Sequence, residues 1–194
     1  MTAAADTLEE TTLMGLHAIY PDRRYGIALV GDYLMVFDET WLKCNSLTYQ
    51  RFAGHEAFGL IEPVGLDKPL GFANLGFARL HIESPMDLTV VAQGGWAAVT
   101  AYAIHLFVRI LRNPESVGAW LPRLVAGWHQ GWQEAGETKR TRKVVARDLT
   151  RTEEVVGALI EGTERLASTE LKPNKVTALG AGEPPEDLAN IDQE

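Results

Sequence analysis

Five histidines, one cysteine and scattered carboxylates are the residues of this 194-residue chain whose types could do chemistry. The histidines stand at 17, 55, 81, 105 and 129. No two are three or four apart, so no helix presents a His pair to a metal, and H-E-x-x-H is absent. His81 and Glu83 match half of a zinc-deaminase pattern. The other half needs two cysteines, and Cys44 stands alone. Cys44 with His55 would make a nucleophile and base. On a strand, however, Lys43 points away from Cys44 and does not activate it, so Cys44 reads as a packing residue. Ser84 has no G-x-S-x-G elbow, and the glycine loops that cradle phosphates are absent. Asp38-Glu39 reads as a solvated turn at a strand end. No catalytic residue, metal ligand or cofactor is assigned. A small-molecule enzyme would need Asp38, Glu39, His55, His81 and Glu83 to converge in one pocket.

The elements that would position these residues divide the chain. Tyr25–Val30 and Tyr33–Phe37 flank Gly31-Asp32, which predicts a hairpin. A further strand is expected over Trp41–Leu47. Glycines at 54, 59, 65, 71 and 76, with Pro63 and Pro69, predict turns. Phe77–Glu83 alternates as a strand that Ser84-Pro85 ends. Helices follow. The first runs over Gly95–Leu111. Asn113-Pro114-Glu115 stops it and starts the next, with Asn as cap and Pro at the first helical position. The second helix carries Leu121, Leu124, Val125, Trp128 and Trp132, and Pro122 predicts a kink or a late start. A third spans Thr138–Ala167. From Lys172 onward the chain holds three prolines, two glycines and five acidic residues, which predicts disorder.

The expected fold is therefore α+β. Residues 1–12 form a flexible N-terminus and residues 13–93 an antiparallel β-rich half. This half packs on a helical half, 94–171, whose last helix is long. Residues 172–194 form a disordered acidic tail.

Three surfaces remain for partners. The 21 residues from Leu88 to Val108 lack Asp, Glu, Lys and Arg, yet Gln93, Gly94, Gly95, Thr100 and His105 dilute them. On that helix His105, Arg109 and Arg112 form one polar stripe, which suits a central helix, an oligomer interface or a membrane-contacting helix. Lys139, Arg140, Arg142, Lys143, Arg147 and Arg151 meet only Asp148 over thirteen residues. Arg140, Lys143, Arg147 and Arg151 share a stripe that would meet solvent or anionic lipid. Val145, Leu149, Thr152, Val156, Leu159, Thr163 and Leu166 step by four and three, an a/d seam. With Trp128 and Trp132, this seam is the expected self-association surface.

The unit from His81 through Ser84-Pro85 to the apolar helix ending at Leu111 resembles one in short uncharacterised bacterial proteins. In those, a strand ends in Ser-Pro and an apolar helix, then a polar one, follow. The resemblance covers about a sixth of the chain. It implies a bacterial origin and assigns no site residue. The net charge of −8 points away from nucleic acid. The N-terminus lacks a basic segment and an early apolar run, so a cytoplasmic, at most membrane-peripheral, location is expected. The leading expectation is a non-enzymatic assembly module that pairs with itself or another protein through its C-terminal helices. The alternatives are peripheral membrane association, through helix 95–111 and stripe 139–151, and the enzyme above.

Overall fold

A computed structural model describes residues 14–57, 74–82, 85–93, 97–135 and 139–189, without the side chains of 53–57, 74, 77, 131–135 and 139–151. The chain is α+β. Four strands, β1 (Gly15–Ile19), β2 (Asn74–His81), β3 (Asp87–Gln93) and β4 (Lys175–Leu179), form an antiparallel sheet in the order β2-β3-β1-β4. Alternation sorts the sheet's two faces. Leu16, Ala18, Leu88, Val90 and Val176 are buried on one, while His17, Asp87 and Thr89 are half-exposed on the other. There His17 pairs with Asp87 at 2.8 Å. Gly15 opens β1 because a Cβ at that position would lie 2.1 Å from the Val90 carbonyl oxygen.

The expected hairpin and the strand at Trp41–Leu47 are both replaced by one 31-residue helix, α1 (Ile27–Ala57). Its middle is largely covered: Cys44, Asn45, Leu47, Thr48, Tyr49 and Gln50 are all buried. Such a helix lacks the polar stripe that reveals a surface helix. Its run Tyr33–Phe37 looks the same as a buried strand, and Gly31-Asp32 supplies a false turn. Thr40 and Thr48 resolve their buried hydroxyls locally, donating to the carbonyls of Val36 (2.6 Å) and Cys44 (2.9 Å).

α2 (Ala97–Arg112) is the central helix of the domain. It packs against α1, β1 and β4, with Phe107 set edge-on to Phe37 and Trp41 at centroid distances of 4.9 and 5.6 Å. This settles its setting among the three expected: its apolar faces meet protein. Among the described residues no helix is long and apolar enough to cross a membrane. After α2, Asn113 ends the helix as expected, and Pro114–Ser116 make a 3-10 turn before α3 (Val117–Ala135). Two details differ. Asn113 makes no side-chain capping bond. Pro122 lies inside α3, on its exposed side, where the carbonyl of the exposed Gly118, which loses its i+4 donor, can bond water instead.

α4 (Lys139–Ser168) matches the third predicted helix within a residue at each end. Its partner is α1 of the same chain. Gly162 permits the approach, since a Cβ there would stand 2.8 Å from Thr40 Oγ1. The halves are therefore not sequential: a helix from the first half packs on one from the second.

The disordered tail is corrected too. Residues 175–179 are the edge strand β4, and Glu186–Ala189 form a short helix, α5. Leu171, Val176 and Leu188 are buried. Composition undercounts such a segment, because a few anchors and one strand ladder suffice when neighbours supply the rest. Residues 1–12 and 190–194 lie outside the described residues.

Candidate functional site

The polar stripe of α2 has a definite partner. All three side chains point at backbone carbonyls of the C-terminal segment. Arg112 donates through Nε and Nη2 to Val176 O, at 3.1 and 2.8 Å. His105 Nε2 donates to Ala181 O at 3.2 Å. Arg109 Nη1 donates to Leu188 O, and its guanidinium lies over Trp120. The 3.6-residue period lines these groups along one side of α2, so a single helix clasps the segment from β4 to α5.

The clasp ends in a charged node. Asp187 receives Tyr102 Oη at 2.9 Å and Trp128 Nε1 at 3.3 Å. Arg51 of α1 forms an ion pair with the same carboxylate oxygen at 2.9 Å. Its guanidinium also sits against the rings of Tyr102, Trp128 and Phe52, at 4.2, 5.1 and 5.3 Å. Burial pushes the Tyr102 hydroxyl well above its ordinary pKa; Arg51 opposes the shift and Asp187 reinforces it. Tyr102 therefore remains a donor at all physiological pH. The arrangement is an aromatic cage of the kind that binds cations, with the chain's own arginine as occupant. It ties α1, α2, α3 and α5 together.

Asp187→Ala is expected to cost about 2 kcal/mol of unfolding free energy, because it leaves a largely buried guanidinium and two donors without their acceptor. Urea denaturation measures this. A loss under about 0.5 kcal/mol would show that the node only decorates the fold.

Between the C-terminal end of α2 and residues 177–189 lies a cleft of about 450 Å³. Its polar lining is cationic and neutral: His105, Arg109, Arg112, Asn113 and Ser116. A second cleft of about 300 Å³ lies beside Tyr33 and Leu171, where Lys172 pairs with Glu115 at 2.9 Å.

No family model matches the chain, and neither a curated protein nor a solved structure matches it. Its site is therefore read from its own geometry.

The residues singled out in the sequence fall in several places. Cys44 is fully buried, with Sγ 3.5 Å from Ala103 O, and desolvation holds its thiol far above the ordinary pKa. That opposes the thiolate a nucleophile needs. Glu39 pairs with Arg165 of α4 at 2.9 Å, and Asp38 is an exposed neighbour on α1 rather than part of a turn. His81 lies on the edge strand β2, opposite Asp87. The side chains of His55 and Glu83 lie outside the described residues. Of the described members of the enzyme set, Asp38 and Glu39 thus lie on α1 and His81 on β2.

The seam is turned inward. Thr152, Val156, Leu159, Thr163 and Leu166 are buried within the chain, and Trp128 belongs to the cage around Arg51. The pairing expected between chains is, over 152–166, a pairing with α1. The reason is that α1, whose sequence resembles two strands, is the partner helix. The side chains of Trp132, Val145 and Leu149 lie outside the described residues, as do those of Arg140, Lys143, Arg147 and Arg151. Arg51, Tyr102 and Asp187 were not singled out. Arg51 stands in a stretch without visible periodicity and Asp187 in one read as tail, so neither carried a local signal.

Proposed function

We propose that the chain is an interaction module that self-associates through the outer edge of β2. One observation carries this. β2 is an eight-residue terminal strand, paired only with β3 among the described strands. Its exposed residues continue into an apolar rim, Leu80 and Ile82, each 38% exposed. A strand edge of this length with apolar side chains is a template for another strand. Its simplest occupant is the same strand of a second copy, antiparallel across a two-fold axis, which makes the contact self-complementary. This reading keeps the assembly role and moves its surface from the seam, whose described residues are used inside the chain, to the sheet edge.

Light scattering during gel filtration is expected to give twice the monomer mass. Leu80→Lys with Ile82→Lys places two charges on the rim and is expected to give a monomer with unchanged helical circular dichroism. A wild-type monomer, or a dimer that survives both lysines, would reject the edge.

A second reading concerns lipid. Residues 139–151 belong to one continuous helix, so the spacing sets Arg140, Lys143, Arg147 and Arg151 on a single stripe. Flotation with anionic liposomes that falls steeply with salt would support it, and salt-insensitive or absent flotation would not. The apolar faces of α2 take no part in that contact, because protein covers them.

A further inference from the structure

We infer that the outward face of the first turns of α1 pairs with the same face of a second copy, the two helices running antiparallel about Gly31. Exposure singles the face out. Ile27 and Met35 are the most exposed large apolar side chains among the described residues, at 82% and 65%. They lie eight residues apart, about two turns, so the helical period sets them on one stripe. Gly31 stands midway between them, and a Cβ there would meet nothing within 4 Å. No neighbour among the described residues therefore requires a glycine, which weakens a helix relative to alanine. A second backbone approaching this face would use the space it leaves. Val30, Tyr33, Val36 and Phe37 hold the opposite side of α1 in the core.

Symmetry and charge choose the occupant. Reversal about Gly31 sets Ile27 of each copy beside Met35 of the other, so the stripe complements itself, as a two-fold contact requires. Charge follows the same reversal. Arg23 and Arg24 precede the helix, Asp38 and Glu39 follow Met35, and the first turn holds no acid. Asp38 lies seven residues beyond Gly31, about 10 Å along the axis, and Arg24 seven residues before it. An antiparallel copy brings each basic start, with the positive end of its helix dipole, to the other's acidic stretch. A parallel copy would set base on base and acid on acid. The order of charge sets this orientation, and it needs no group to be free: Arg23 holds Glu170 and Glu39 holds Arg165 within the chain. Asp32 stands about a quarter turn off the stripe and stays in water. So small a contact covers less than about 1,200 Å², the range of transient interfaces, and its expected dissociation constant is about 0.1–1 mM. It does not rest on the β2 edge. The edge dimer remains the species at gel-filtration concentrations, and α1 joins such dimers when the protein is concentrated.

The test follows amide chemical shifts of the full chain by NMR from about 20 μM to about 1 mM, in the wild type and in the Leu80→Lys, Ile82→Lys variant. Both are expected to show concentration-dependent shifts over residues 26–38. Met35→Lys is expected to weaken the pairing at least about tenfold. Gly31→Glu points into open space within its own chain but into the contact between copies, and is expected to do the same. Arg24→Glu alone and Asp38→Arg alone are each expected to weaken it about fivefold at low salt, since either sets like charges together twice. Their combination restores most of the loss, because each copy then meets a reversed partner. Spectra of α1 that are the same at all concentrations overturn the inference, whether the face stays bare or is covered by its own chain. Shifts that survive both Met35→Lys and Gly31→Glu overturn it equally, as does a combined charge variant that pairs no more tightly than the single ones. A wild type that is monomeric by light scattering yet shows these shifts would reject the β2 edge and keep this contact.

Discussion

Val156→Asp combined with Leu159→Asp is expected to unfold the chain. If the seam joined two chains, the same pair of changes would lower the oligomer mass and leave the fold intact. The structure reverses that expectation. Val156 and Leu159 are 8% and 0% exposed, and α4 packs on α1, α3 and the 3-10 turn of the same chain. The helices meet closely at Gly162, where an added Cβ would stand 2.8 Å from Thr40 Oγ1. A carboxylate at either position loses its water and gains no cation. Each buried, unpaired carboxylate is expected to cost several kcal/mol. Two of them exceed much of the about 5–15 kcal/mol that stabilises a domain. The expected readout is a collapsed near-ultraviolet spectrum and the loss of dispersed amide resonances. A folded monomer formed from a wild-type dimer would restore the inter-chain seam.

Truncation after Leu171 is expected to be nearly as damaging, although it removes a stretch whose composition resembles a tail. The deletion strips β4 from β1 and opens the apolar face at Leu16 and Ala18. It removes Val176 and Leu188, whose burial stabilises by about 1.5–3 kcal/mol each. It also leaves Arg51 in its aromatic cage without Asp187, and turns the donors of His105, Arg109 and Arg112 toward solvent. Together these changes amount to about 5 kcal/mol or more, which for a domain of this size lowers the melting temperature by roughly 10–20 °C. Differential scanning calorimetry on the full and truncated chains measures it. A truncated chain that melts within a few degrees of the full one would show that the clasp is dispensable.

How much of this was legible in the sequence depended on whether a segment meets solvent. α4 shows a polar face and a seam, and its ends were placed within a residue. The strand before Ser84-Pro85 alternated and was found. The stripe His105, Arg109 and Arg112 was seen as a stripe, but its partner was not, because carbonyl groups carry no residue-type signal. α1 was lost for the opposite reason. Its covered stretch, residues 44–50, has no polar face, so the helical period that exposes α4 is silent there. Losing α1 had a consequence further along the chain. A seam without a visible partner helix was assigned to a second copy, when residues 152–166 of it face α1. The C-terminal segment was missed because its stability comes from β1, α2 and Arg51, all distant in sequence. Of the stretch from Gly54 to Gly76, read as turns, residues 54–57 end α1 and residues 74–76 start β2, while the rest lies outside the described residues.

Amide hydrogen exchange of β2, followed by mass spectrometry at protein concentrations above and below the dimer midpoint, tests self-association most directly. Pairing of two β2 edges predicts that protection over Asn74–His81 rises with concentration while β4, already clasped by α2, stays unchanged. Exchange across β2 that is the same at both concentrations would contradict it.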